Sequence, residues 1–172
     1  MNPRNEGGLI PSRNHSTQDQ RRKLTTGRWA LGVLFVQLHG SRTRAGIYIS
    51  DGVKTTTLAG GFVSGSHQAG LAIAGQDVTV TGMQFLSNSS DEFGGARGTC
   101  PGVIVGFSSR GVSVTGCRSG EAATADYQSY GCQVDTGADD FVITGNNFRN
   151  NVNPGVNNGA GTGPTKLIAN NI

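Results

Sequence analysis

Two polar stretches hold the side chains whose types can do chemistry: Asp91, Glu92 and Arg97 in residues 86–100, and Glu121, Asp126 and Tyr127 in residues 120–129. Paired carboxylates can act as general acid and base across a glycosidic bond when they stand roughly 5 to 9.5 Å apart. Asp91, Glu92, Glu121 and Asp126 are therefore the candidate catalytic residues. Arg97 adds a cation and Tyr127 a ring for stacking, so all six also form a mixed set suited to sugar hydroxyls, a candidate carbohydrate-binding site. The plainer alternative is that they are solvated loop charges. No metal site is expected, because the carboxylates follow no Ca²⁺-loop spacing. His15, His39 and His67 are scattered, and no Ser/His/Asp arrangement is legible. Cys100, Cys117 and Cys132 match no Cys-x-x-Cys or Cys/His spacing, and an odd count excludes a fully paired disulfide framework. They read as small buried or free thiols.

What must position these residues is a repeat, which the two stretches interrupt. The phrase YGCQVDTGADDFVITGNNF at residues 130–148 returns, without a gap, as PGVNNGAGTGPTKLIANNI at residues 154–172, an offset of 24. Working back, each unit opens on a glycine: Gly46, Gly70, Gly102, Gly131 and Gly155. The positions one and three beyond it read Ile47/Ile49, Leu71/Ile73, Val103/Val105, Cys132/Val134 and Val156/Asn158, an alternation that turns one face of a strand inward. Only Asn158 breaks it. A second strand follows as Val78-x-Val80, Val112-x-Val114, Phe141-x-Ile143 and Thr165-x-Leu167, ending in the turns Thr81-Gly82, Thr115-Gly116, Thr144-Gly145 and Ile168-Ala169. Three residues past each turn stand Phe85, Ser119, Phe148 and Ile172, with Phe62 as the counterpart in the first unit. Each unit thus has three sides. Helical repeats would need helical periodicity in every unit, and none appears. The expected fold is all-β: a right-handed parallel β-helix of about five coils with an irregular amino-terminal cap.

Within that fold the stretches 86–100 and 120–129 leave at the same corner of adjacent coils. They should be neighbours, and long loops on a scaffold of short corners are where function concentrates.

Composition agrees with many turns and short strands, with 28 Gly and 5 Pro in 172 residues, a length natural for one domain. Charge is divided. Residues 1–44 hold eight Lys/Arg against two Asp/Glu, and residues 45–172 hold six against nine. The chain therefore divides into a basic, irregular segment, 1–44, and a β-helix domain, 45–172. Residues 1–28 show no period of 2 or 3.6 and are expected to be loosely attached. WALGVLFVQL, residues 29–38, is too short to span a bilayer. Behind the basic Arg21-Arg22-Lys23 it resembles a secretory or twin-arginine signal, but Gly32 interrupts it and no small-x-small cleavage site follows. Its preferred reading is a strand covering the open edge of the first coil. At the other end, with Ile172 in an apolar position, another chain or a further segment is expected to cover the last coil. The basic segment raises nucleic acid as a partner, but without a helix-turn-helix, finger or aromatic RNA-binding signature none is expected.

The pattern Gly-φ-x-φ followed by φ-x-φ-Thr-Gly-Asn-x-Phe resembles the parallel β-helix of the pectin-lyase-like superfamily, over residues 45–172. ADDFVITGNNFRNN and TGPTKLIANNI are similar to the closing coils of phage and prophage tail-spike proteins. The resemblance implies that Asn146-Asn147 and Asn170-Asn171 form a ladder of stacked amides, and that the partner is a bacterial surface or acidic polysaccharide. It implies a virion-tail or secreted location and a homotrimer. It leaves two functions open: a structural, carbohydrate-binding β-helix of a tail spike, or a secreted polysaccharide lyase or glycoside hydrolase. No cofactor is expected, except Ca²⁺ if the protein is a lyase. Asp139-Asp140 resembles the adjacent aspartates of polygalacturonase-like hydrolases, yet the surrounding Asn-Thr-Asp, Gly-His-Gly and Arg-Ile-Lys elements are missing. A polar turn before the Phe141 strand is the simpler reading.

Overall fold

Alternating apolar residues three to six at a time, punctuated by glycine, can bury one face only by stacking on a copy of themselves. That is what the chain does. The structure is a computed structural model that describes residues 33–39, 45–89, 97–121, 127–153 and 155–172. Its strands are β1 (Val33–His39), β2 (Ile47–Ile49), β3 (Lys54–Ser64), β4 (Leu71–Ile73), β5 (Gln76–Thr81), β6 (Gln84–Leu86), β7 (Val103–Val105), β8 (Arg110–Thr115), β9 (Arg118–Ser119), β10 (Cys132–Val134), β11 (Asp139–Thr144), β12 (Val156–Asn158) and β13 (Lys166–Ala169). The first side of the solenoid is the sheet β12-β10-β7-β4-β2. The second is β13-β11-β8-β5-β3, and the far half of β3 begins the third, β3-β6-β9. Every one of these pairings is parallel and joins a strand to its counterpart one coil away. Five strands on a side, about 4.8 Å apart, make a rod roughly 20 Å long.

Inside run columns of side chains. Ile49, Ile73, Val105 and Val134 stack in register and are buried, as are Leu58, Val80, Val114 and Ile143. Cys132 fills the column of Leu71 and Val103, where burial pushes its thiol well above the ordinary range. Cys117 is likewise buried and raised, and all three cysteines are free. Neither buried thiol is poised to react. Beyond the largely charged row Lys54, Gln76, Arg110, Asp139, two outward columns run along the second side, Thr57, Thr79, Ser113, Val142, Leu167 and Ala59, Thr81, Thr115, Thr144, Ala169. None of the ten residues in the two columns is charged.

The recurring glycines serve two different needs. The first four opening glycines are notches: a Cβ on Gly46 would stand 2.3 Å from Val63 Cγ1, on Gly70 2.6 Å from Asn88 Nδ2, on Gly102 1.8 Å from Ser119 Oγ and on Gly131 2.4 Å from the Phe148 ring, whereas one on Gly155 would meet nothing within 4 Å. At these four positions the third side therefore closes onto the start of the first only if no side chain intervenes. The turn glycines Gly82, Gly116 and Gly145 instead adopt φ of +61°, +60° and +66°, a region costly for other residues.

Register differs from the sequence expectation at two coils. In the first, left-handed Gly60 stands where Gly82 does in the next coil and the offset stays at 22 from Ala59–Thr81 to Val63–Phe85, so Val63, not Phe62, pairs with Phe85 and is fully buried. In the last, the repeat is not gapless: Cys132 pairs with Val156, an offset of 24, but Phe141 pairs with Lys166 and Ile143 with Ile168, an offset of 25. The inward positions are therefore Lys166 and Ile168 rather than Thr165 and Leu167, and the left-handed turn residue is Asn170. Ile172 consequently pairs alongside Asn147 and is 56% exposed, instead of following Phe148 into the core. The asparagine ladder shifts with it. Asn146 Nδ2 donates to Asn171 Oδ1 at 2.9 Å, and Asn171 Nδ2 to Ile143 O at 2.9 Å. Asn147 and Asn170 stand outside it.

Of residues 1–44 the structure describes β1, which pairs in parallel with β3 and extends the second side by one strand past the first coil. That is an edge the apolar segment 29–38 was expected to cover, although its residues 29–32, like residues 1–28, lie outside the described residues. No helix of the described residues is long and apolar enough to cross a membrane.

Candidate functional site

The corner beyond the third side is where the chain twice departs from short turns. Its base is a spine of buried amides. Asn88, Gln128 and Asn151 are 0%, 1% and 5% exposed, and each needs partners for both its oxygen and its nitrogen. Asn88 Nδ2 donates to Gln128 Oε1 at 2.9 Å, and Gln128 Nε2 donates to Asn151 Oδ1 at 3.0 Å. Asn151 Nδ2 closes the series on Ser119 O and Phe148 O, at 2.8 and 2.7 Å. Turned over, the Gln128 amide would set its nitrogen 2.9 Å from Asn88 Nδ2 and its oxygen 3.0 Å from Asn151 Oδ1, donor on donor and acceptor on acceptor. The reversal would offer Phe85 O a donor and Gly120 N an acceptor, but those two groups already bond each other at 3.1 Å.

From this spine the two insertions rise side by side. Ser89, left-handed at φ 63°, accepts at Oγ from Cys100 N at 3.1 Å and so pins the two ends of the first insertion. Ser129 N then donates to Cys100 O at 2.9 Å, and Gly98 N donates to Tyr127 O at 2.9 Å. The insertions are neighbours, as their common corner required. Above that contact the Arg97 guanidinium lies 4.3 Å from the Tyr127 ring centroid, a cation–π arrangement. Tyr127 thus already carries Arg97 on one face. Glu121 sits at the root of the second insertion, its N donating to Asn150 O at 3.2 Å and its O accepting from Asn150 Nδ2 at 3.0 Å. Its Oε1 is shielded from solvent and has no hydrogen-bond partner among the described residues.

Of the six candidate residues the structure therefore brings Arg97 and Tyr127 into contact and places Glu121 on the side of the following coil. Asp91, Glu92 and Asp126 lie outside the described residues. Among the described residues no group of three or more His, Cys, Asp or Glu side chains could hold a metal ion. The spine itself had gone unread. A signal for it exists in Phe85-x-x-Asn88 and Phe148-x-x-Asn151, the same spacing in two coils, but the insertion moves Gln128 to nine residues past Ser119.

Asp139-Asp140 stands elsewhere, on the second side, where it opens β11 rather than forming a turn, with Asp140 left-handed at φ 51°. Asp139 Oδ1 accepts from Asp140 N at 2.9 Å and from Thr165 Oγ1 at 3.1 Å, while Oδ2 accepts from Arg110 Nη1 at 2.9 Å. Lys166 Nζ is 3.8 Å away. The Asp140 amide first, then Thr165, Arg110 and Lys166, hold the Asp139 carboxyl below the usual carboxylate range, against a smaller desolvation effect. A carboxyl depressed by folding contributes its full stability above the unfolded-state value, about 3.9, and loses it as pH falls through the folded-state value. Asp139→Asn is expected to lower the urea midpoint modestly at neutral pH, since the group is exposed. The gap from the unmodified chain should narrow as the pH is lowered through that folded-state value, and a gap that does not change with pH would show that the carboxylate is not the source.

Compared with protein families, with curated proteins and with solved structures, the chain matches none.

Proposed function

We propose that this protein is a carbohydrate-binding, structural β-helix of the pectin-lyase-like kind, part of a phage or prophage tail spike, whose insertion corner contacts bacterial surface polysaccharide. The observation that carries the reading is the meeting of Arg97 and Tyr127 at the one corner where two adjacent coils are lengthened. A solenoid supplies rigidity without chemistry of its own. A ring backed by a guanidinium, on loops rooted in buried amides, offers a sugar an apolar face beside hydrogen-bond donors. Asp91, Glu92, Glu121 and Asp126 would complete the ring of polar contacts. In this reading the protein works as a homotrimer in a virion tail or outside the cell.

The test is a binding assay of the full chain on a panel of acidic and capsular glycans. Tyr127→Ala and Arg97→Ala should each weaken the best ligand by about tenfold or more, on the order of 1.4 kcal/mol, with the thermal midpoint unchanged. Release of reducing ends or of unsaturated product would replace the binding reading by hydrolase or lyase action. A monomeric mass by light scattering would remove the trimer from the proposal.

A further inference from the structure

Gln128 follows Tyr127 directly and is the last residue before the second insertion rejoins its coil, where Ser129 N bonds Cys100 O. Asn88 is the corresponding root of the first insertion, immediately before Ser89, whose N donates to Gln68 O at 2.7 Å. One side chain joins the two roots. Gln128 Oε1 accepts from Asn88 Nδ2 at 2.9 Å and from Asn88 N at 3.3 Å. Its Nε2 reaches on to Ser119 Oγ at 3.2 Å and Asn151 Oδ1 at 3.0 Å. A buried amide with all these partners admits little displacement, because losing one leaves a donor or acceptor unpaired away from water. The Tyr127 carbonyl, one residue upstream, holds Gly98 N, and Gly98 is adjacent to Arg97.

We infer that Gln128 is a positioning residue, whose amide sets Tyr127 against Arg97 and couples the two insertions into one ligand-binding unit. The coupling rests on geometry alone; its effect on a glycan rests also on the function proposed above. The Asn146–Asn171 ladder provides an internal control, since it has the same chemistry at a corner that carries no insertion.

The experiment compares Gln128→Met, which keeps length but offers no amide, with Asn146→Leu, in the full chain. Amide hydrogen exchange at Gly98, measured against Leu71 in the core, is the readout. Both variants should lower the denaturation midpoint. Only Gln128→Met should speed exchange at Gly98, by about tenfold or more relative to Leu71, and it should weaken glycan binding by a similar factor. Ser119→Ala, which removes one Gln128 partner, should give a smaller change in the same direction and serves if Gln128→Met does not fold. Unchanged Gly98 exchange in both spine variants, or an equal rise in Asn146→Leu, overturns the inference. If the unmodified chain binds no glycan on the panel while Gly98 responds as expected, the proposed function falls and the coupling stands.

Discussion

Truncating Phe85 to alanine is expected to lower the unfolding free energy by about 3 to 5 kcal/mol, much of the total for a domain of this size. Phe85 is fully buried and pairs with Val63 in the coil before it and Ser119 in the coil after it. Its column reads Val63, Phe85, Ser119, Phe148, so the ring fills space that the small Ser119 leaves open. Its partners on either side in the column, Val63 and Ser119, are held by parallel pairing and are too short to refill the void. Urea denaturation checks the magnitude. Phe107→Ala is the natural comparison, since that ring is 72% exposed and its loss should stay within about 0.5 kcal/mol, as for surface positions generally. Equal losses in the two variants would mean that the third side is not part of the core.

Gly102→Ala is the second large effect, by overpacking rather than by a void. The added methyl would stand 1.8 Å from Ser119 Oγ and 2.8 Å from Gln128 Nε2, so the start of one coil would push against the amide spine. A cost of about 1 to 3 kcal/mol or more is expected. Removing the struck atom with Ser119→Ala should recover part of it, so a double-mutant cycle should show coupling of about 0.5 to 3 kcal/mol. Gly116→Ala is different in kind: nothing lies within 4 Å of its added methyl, but φ is +60°, so its cost of roughly 1 to 2 kcal/mol should be untouched by Ser119→Ala. Additivity in the Gly102 pair would disprove the notch.

The columns Ile49-Ile73-Val105-Val134 and Val80-Val114-Ile143 were legible because alternation inside short strands has one buried solution. The two register errors have a common physical source. Sequence alignment prefers the register with the more apolar interior, whether the turn keeps its length, as in the first coil, or gains a residue, as in the last. At the last coil that preference placed Leu167 inward and kept Lys166 out. In the structure Lys166 takes the inward position, its side chain largely covered while Nζ reaches Ala160 O at 3.0 Å. At the first coil a phenylalanine looked the better core residue than the valine beside it, but with Gly60 in the place of Gly82 the unchanged spacing sets Val63 opposite Phe85. The site was half legible. Insertion positions fixed which loops meet, but the Arg97–Tyr127 stack depends on loop conformation, and the spine depends on a Gln whose spacing the insertion itself disrupts.

The two columns on the outside of the second side, from Thr57 to Leu167 and from Ala59 to Ala169, have a consequence for how this protein's contacts can be told apart. A surface of hydroxyls and methyls holds no counter-ions to release, so an association confined to it should be indifferent to ionic strength. The insertion corner, with Arg97 and Glu121, should weaken as the Debye length contracts from about 10 Å at 0.1 M to about 3 Å at 1 M salt. Titrating salt into a complex of the protein therefore tells contact confined to these two columns from contact that reaches the insertion corner or the Arg110–Asp139 row.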